Sequence, residues 1–269
     1  MQNHKPQKQN FRNLTSRFAG RISNTKRPKW FVRLIIKLYI SIFNIKIENY
    51  IVPKKGFKNF NEFFTRKIKN GLRSIQDGII SPVDGFIFDF GETDPDNKIY
   101  VKHRHYYIDD LICDDYQDLS SYAVLYLSPS NYHRVHSPFD ITINSVSYLP
   151  GTLLSVRKKV IYKKDRVYCR NERIVIEGVC EFGKCKIVLV GALLVGKVKL
   201  SFDNSLQTNI KKGIYIKRIY EKSINISKAE ELGLFEMGSS VIILLEHNCL
   251  SKIIKPIHTP IKYGESLLS

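Results

Sequence analysis

From Trp30 to Phe43 the chain is apolar except at Arg33, Lys37 and Ser41, which recur every fourth residue. On a helix those three form one narrow polar stripe beside a wide apolar face. A membrane-spanning helix needs about 20 largely apolar residues, and this run is too short and too charged. It predicts an amphipathic helix that packs on a core with one edge and lies in a membrane interface with another. Residues 60–66, Phe-Asn-Glu-Phe-Phe-Thr-Arg, predict a second short helix with Asn61 as its cap. From about Ile79 the pattern changes. Short runs at 123–127, 141–149, 173–177, 187–198 and 241–246 are rich in Val, Ile and Tyr and are separated by Gly, Pro, Ser and Asn. These predict strands. Residues 203–209 and 221–228 are polar and predict loops. The expected fold is α+β, with amphipathic helices in a basic arm over residues 1–70 and a β-rich domain over residues 71–269.

Charge adds a partner class. The 269 residues carry 43 Lys and Arg against 25 Asp and Glu, a formal net charge of +18. Such an excess attracts a polyanion, either nucleic acid or an anionic membrane surface. Basic residues run from Lys5 to Lys46 before the first acidic one, Glu48, so the charge is concentrated in the segment that also carries the amphipathic run. No RNA-recognition signature or helix-turn-helix accompanies it. The opening residues lack the uninterrupted apolar stretch of a secretory signal. Five cysteines, an odd number, therefore suggest reduced thiols in a cytosolic setting. Cys180 and Cys185 flank Gly183 and read as hairpin residues, because no second close pair completes a zinc site.

Three short segments carry candidate chemistry. Ser81-Pro82-Val83-Asp84-Gly85 follows an apolar pair, and alone its Asp reads as a turn residue. Tyr132-His133-Arg134-Val135-His136 lies between Pro129 and Pro138. Two histidines three apart cannot share one face of a regular strand. With Asp84 they do not amount to a metal set, since nothing else supplies ligands at telling spacing. Phe235-Glu236-Met237-Gly238-Ser239-Ser240 runs into the apolar residues 241–245. Alone, it is an ordinary turn before a strand.

In order, the three resemble the phosphatidylserine decarboxylase family, whose hallmarks are Pro-x-Asp-Gly, Tyr-His-Arg-Val-His and a Leu-Gly-Ser-Thr cleavage site. Here they stand as residues 82–85, 132–136 and 237–240, with Met237 for Leu and Ser240 for Thr. Further matching blocks at 60–66, 150–156, 170–173 and 190–192 extend the likeness over nearly the whole chain. Both departures are mild, since Met replaces Leu at similar volume and Ser keeps the hydroxyl.

The resemblance implies a proenzyme whose β-rich catalytic domain cuts itself between Gly238 and Ser239. The Ser239 hydroxyl would attack the Gly238 carbonyl carbon, exchanging the amide for an ester. Glycine at 238 leaves the attack uncrowded. The family assigns the base to His136, oriented by Asp84, as in a serine-hydrolase triad. Elimination across the ester and hydrolysis would then convert Ser239 into a pyruvoyl group and ammonia. The new ketone would condense with the amine of phosphatidylserine and act as an electron sink while carbon dioxide leaves. His133 would return a proton to the former α-carbon, on its family match and on the near-neutral titration of imidazole. Fragments 1–238 and 239–269 would remain together as a heterodimer, with no metal. The resemblance also places the product at the cytoplasmic side of the cell membrane as a peripheral enzyme of phospholipid biosynthesis that makes phosphatidylethanolamine. Two rivals are a serine hydrolase, which lacks the Gly-x-Ser-x-Gly elbow, and a basic membrane-binding module without catalysis, which leaves the three motifs as coincidence.

Overall fold

A computed structural model describes residues 23–26, 28–114, 118–193, 197–210, 213–236 and 239–268. Most of the basic arm before α1, and Met237 and Gly238 of the expected cleavage site, lie outside the described residues. Helix α1 is Lys29–Phe43, led by Pro28 and closed by Asn44 in the left-handed region. Helix α2 is Phe60–Phe64. Its cap is Asn59, whose side-chain oxygen accepts from the Glu62 amide at 2.8 Å, and not the expected Asn61. Two residues fit the local signal, and only Asn59 has the extended backbone that a cap requires.

Among the described residues every pairing between strands of the body is antiparallel. Its strands are β1 (Gly85–Glu92), β2 (Lys98–Val101), β3 (Arg104–Tyr107), β4 (Ser121–Leu127), β5 (Arg134–His136), β6 (Ile141–Leu149) and β7 (Arg173–Cys180). They continue with β8 (Gly183–Gly191), β9 (Lys197–Leu200), β10 (Ile216–Ile226), β11 (Glu231–Glu236), β12 (Ser239–Leu245) and β13 (Pro260–Ile261). Eight of them form one sheet in the order β10-β6-β7-β8-β12-β4-β1-β13. Strands β5, β11 and β9 form a smaller sheet, and β2 and β3 form a hairpin.

Alternate side chains of a strand point to opposite faces, and β12 shows what that builds. Val241, Ile243 and Leu245 join one core with Leu125, Leu189, Val198 and Phe235, where the smaller sheet packs. Ile242 and Leu244 join a second core on the other face, with Val124, Val188, Tyr106 and Tyr168. The hairpin β2–β3 and the short helices Ile108–Ile112 (α3) and Val167–Arg170 (α4) cover that side. A strand buried on both faces needs an unbroken apolar run, which residues 241–245 supply.

Two expectations about strands change. The run 187–198 is not one strand: β8 ends at Gly191, and the chain resumes as β9 in the smaller sheet. Continuous apolarity concealed a change of sheet, because β8 and β9 both contribute to the same core. Residues 221–226 belong to β10 rather than to a loop. This is an edge strand paired only with β6. With few residues facing a core, it needs no alternating pattern and reads as polar irregular chain.

Two of the glycines that the fold requires bear on the expected motifs. A side chain at Gly85 would place its Cβ 2.4 Å from the Tyr126 carbonyl oxygen, so only glycine lets β1 approach β4 immediately after Asp84. Gly183 turns the β7–β8 hairpin at φ +82°, and Cys180 and Cys185 flank it as expected, both as free thiols.

The α1–α2 unit has its own small core. Val32 and Ile36 are buried with Ile45, Tyr50, Phe63 and Tyr132. Tyr132 belongs to the segment that leads into β5, so this core is joined directly to the histidine-bearing chain. The wide apolar face of α1 divides in two. One stripe packs inward, while Trp30, Phe31, Leu34, Leu38 and Ile42 stay exposed on the outside, with Ile42 at 73%.

Candidate active site

Ser239 opens β12 and pairs with Leu127 of β4 on one side and Gly191 of β8 on the other. It is fully buried, and its hydroxyl has no hydrogen-bond partner among the described residues. An unpartnered buried hydroxyl is costly, on the order of 1–3 kcal/mol, and such exceptions concentrate where chemistry is done. Ser239 also lines an apolar cavity of about 260 Å³ walled by Tyr39, Phe43, Phe60, Phe64 and Tyr126. Ser240 points to the opposite face, toward the Tyr168 phenol. The alternation of β12 thus selects one of the two adjacent serines for the cavity.

His133 lies just before β5. Its backbone carbonyl accepts from the Phe235 amide at 2.9 Å, which places it beside the end of β11 that runs on toward Ser239. The ring is fully buried against Phe64, with centroids 4.1 Å apart. Nδ1 lies 2.8 Å from the Asn131 carbonyl. A carbonyl only accepts, so Nδ1 carries the proton. Nε2 is left as a bare lone pair with no partner among the described residues. Burial pushes the imidazole pKa down to about 3, so at neutral pH the ring is uncharged. The near-neutral titration expected for His133 is therefore corrected: it holds no stored proton at Nε2, and any proton it delivers there must first be collected.

His136 ends β5, paired with Glu231 of β11. Its Nδ1 donates to the Ala229 carbonyl at 2.8 Å, and the Tyr132 hydroxyl lies 3.0 Å from Nε2 and donates to it. The ring stacks on Tyr263 at 3.8 Å between centroids. Burial holds its pKa below the ordinary value as well, which leaves a neutral imidazole with its basic nitrogen turned to Tyr132.

Asp84 does not hydrogen-bond His136. One carboxylate oxygen accepts from the Tyr263 amide at 2.9 Å, and the other pairs with Arg73 at 2.7 Å. Tyr263 joins Asp84 and His136, its amide fixed by the carboxylate and its ring stacked on the imidazole, while the Asp84 charge also acts on His136 through space. The expected Asp–His contact is replaced by a linked pair of contacts. No hydrogen bond joins Ser239 to either histidine among the described residues, and Gly238 lies outside them. Sequence reasoning missed Arg73, Ala229 and Tyr263, because each reaches the site only through the fold. Tyr132 stood within a quoted motif, but nothing local marked its hydroxyl as a partner of His136. The loop carrying His133 is itself tied to the helices: Tyr39 donates to the Pro129 carbonyl at 2.8 Å, and Arg66 donates to the Ser130 carbonyl at 3.2 Å.

This arrangement is that of an α+β enzyme with a buried serine at the head of a central strand and two neutral histidines on the adjoining sheet. The phosphatidylserine decarboxylase family model matches residues 60–269. A phosphatidylserine decarboxylase proenzyme of Campylobacter jejuni is 35% identical over 266 residues, covering 96% of this chain and 98% of the relative. Proenzymes of the same name from Brevibacillus brevis and Francisella philomiragia are 36% and 35% identical, covering 95% and 88% of this chain and 91% and 87% of those relatives. The chain belongs to the phosphatidylserine decarboxylase family.

Proposed function

We propose that the chain is a proenzyme that cleaves itself at Gly238–Ser239 and then decarboxylates phosphatidylserine to phosphatidylethanolamine. The observation that carries this reading is Ser239: a buried, unpartnered hydroxyl facing an apolar cavity at the first residue of a central strand. In the cleavage step its oxygen bonds to the Gly238 carbonyl carbon, and the amide C–N bond breaks. Loss of the Ser239 α-proton expels the Gly238 carboxylate. Water then replaces the nitrogen, which leaves as ammonia. His136, neutral and proton-free at Nε2, is the base for the serine proton, and Tyr132 must first release that nitrogen. Asp84 holds His136 in place through Tyr263.

The resulting pyruvoyl group at position 239 fits the surroundings, since no side chain competes for the position and the cavity beside it is apolar. It supplies an electron sink for the electrons left behind by carbon dioxide. His133 is the residue that handles the proton of this second stage, with Nε2 as the available atom. Phe64 and the cavity wall exclude water from it.

The two fragments stay together because every residue of β12 is paired on both sides. Val241 to Leu245 are all fully buried, and each such side chain contributes about 1.5–3 kcal/mol. Among the described residues no helix is long and apolar enough to cross a membrane. The exposed stripe of α1 and the basic segment before it suit peripheral attachment to the anionic cytoplasmic face of the cell membrane. The test is release of carbon dioxide from carboxyl-labelled phosphatidylserine. The wild type should release it and Ser239→Ala should not; equal release by the two overturns the proposal.

A further inference from the structure

The cavity beside Ser239 is lined mainly by apolar and aromatic side chains, with Ser155 and Ser239 as neutral polar members and one residue that carries a charge. Among the described residues Arg157 is the single charged side chain lining it, and no carboxylate lines it. Arg157 is exposed, so it lines the cavity at its solvent-facing rim. Its amide donates to the Ser155 hydroxyl at 3.3 Å, and no described ion pair engages its guanidinium. The charge acts on Tyr126, whose phenol lines the same cavity. Its neighbours add positive charge: Lys158 lies 3.0 Å from His258 Nε2, and Lys102 is close enough to bear on both. Asp89, the acid that acts on Lys102 and His258, is already engaged by the Lys102 amide and ammonium.

A phosphatidylserine head group brings two anions to this cavity, the carboxylate that must be lost and the phosphodiester. A cation on the carboxylate would stabilise the ground state and oppose its conversion to neutral carbon dioxide, so it would slow the reaction. The apolar wall around Ser239 is the better environment for the leaving carboxylate. A cation at the solvent-facing rim suits the anion that survives the reaction. We infer that Arg157 is the phosphodiester-binding residue of this site, taking the lipid phosphate at the cavity rim while the serine moiety reaches toward position 239. The inference rests on the proposed decarboxylation and adds the residue that recognises its substrate. The guanidinium fork matches two phosphate oxygens at once, which a lysine does not reproduce.

The test compares wild type, Arg157→Ala and Arg157→Lys on short-chain phosphatidylserine, with cleavage into two fragments reporting that each variant folds. Interactions of this kind make a difference of roughly ten- to a hundredfold. Arg157→Ala should raise KM by that factor with kcat within about threefold, and Arg157→Lys should fall between. Inorganic phosphate is titrated as competitor in parallel, to separate a lipid phosphodiester from a free phosphate. Weak competition with a large KM effect supports the lipid head group. Tight competition by phosphate with an unchanged KM for lipid would assign Arg157 to free phosphate and overturn the inference. So would a loss confined to kcat. A cleaved wild type that turns over no phosphatidylserine would remove the decarboxylase reading itself. A wild type that turns over lipid with the same KM as Arg157→Ala would remove only the role of Arg157.

Discussion

His133 and His136 stand three residues apart, yet they occupy different chemical worlds. His133 is tied to the Phe235 end of β11, sealed under Phe64, with one nitrogen bound to Asn131 and the other bare. His136 is tied to the Glu231 end, with both nitrogens engaged and its ring stacked on Tyr263. His136 lies in β5 and His133 just before it, so the two rings are not bound to one face of a strand. The difference teaches that a shared motif does not mean a shared task. Burial makes both imidazoles neutral, so each begins as an acceptor. His136 is held by groups that also fix Asp84, while His133 is held by the loop that the helices brace.

The sharpest way to break this comparison is His136→Ala. That variant should remain a single chain on a gel, carry no carbonyl group and release no carbon dioxide. A variant that cleaves would transfer the role of base to His133. Next, His133→Ala should cleave yet turn over phosphatidylserine about 10²–10⁴-fold more slowly, the usual weight of a positioned proton-transfer group. Wild-type turnover in that variant would reduce His133 to a structural ring.

A third contrast concerns the helices, which touch the His133 side through Tyr39 and Phe64. Replacing Trp30, Phe31 and Leu34 with polar residues should leave cleavage intact. Binding to anionic vesicles should weaken by roughly tenfold or more, because side chains of this size contribute more than 1 kcal/mol each on insertion. Binding should also weaken with salt, as exposed basic residues are screened. Sedimentation with vesicles measures both, and equal binding by the two proteins would remove α1 from the membrane.

The last contrast is in stability against acid. His133 has a folded pKa near 3 against an unfolded value of about 6.5. Between those values the unfolded chain binds the extra proton, so stability falls as pH falls, by at most about 1.4 kcal/mol per pH unit. Above pH 6.5 this contribution is constant. Thermal melts of Ser239→Ala with and without His133→Asn should diverge only inside that window. Parallel melts throughout would show that His133 titrates normally.

The candidate groups of this site were legible because they lie in short local words. Asp84, His133, His136 and Ser239 each stand in a motif, and the polar stripe of α1 is visible as a four-residue spacing. What supports those groups was not legible. Tyr263 is 179 residues from Asp84, and only the antiparallel return of the C-terminal segment brings its amide there. Arg73 and Ala229 have no local signature for the same reason. The expected Asp84–His136 bond failed because Arg73 and Tyr263 take both carboxylate oxygens, which no spacing reveals. Strand β10 was lost to a polar edge, and the β8–β9 crossing to an apolar run that two sheets share.

The most direct measurement is the intact mass of the purified wild type beside Ser239→Ala. The wild type should give two species, residues 1–238 and the 31 residues 239–269. The smaller should be lighter by one ammonia than simple hydrolysis would leave it, and it should react with a carbonyl reagent. Ser239→Ala should give one uncut 269-residue chain. A wild type that remains uncut while releasing carbon dioxide from phosphatidylserine would contradict the self-made cofactor at Ser239.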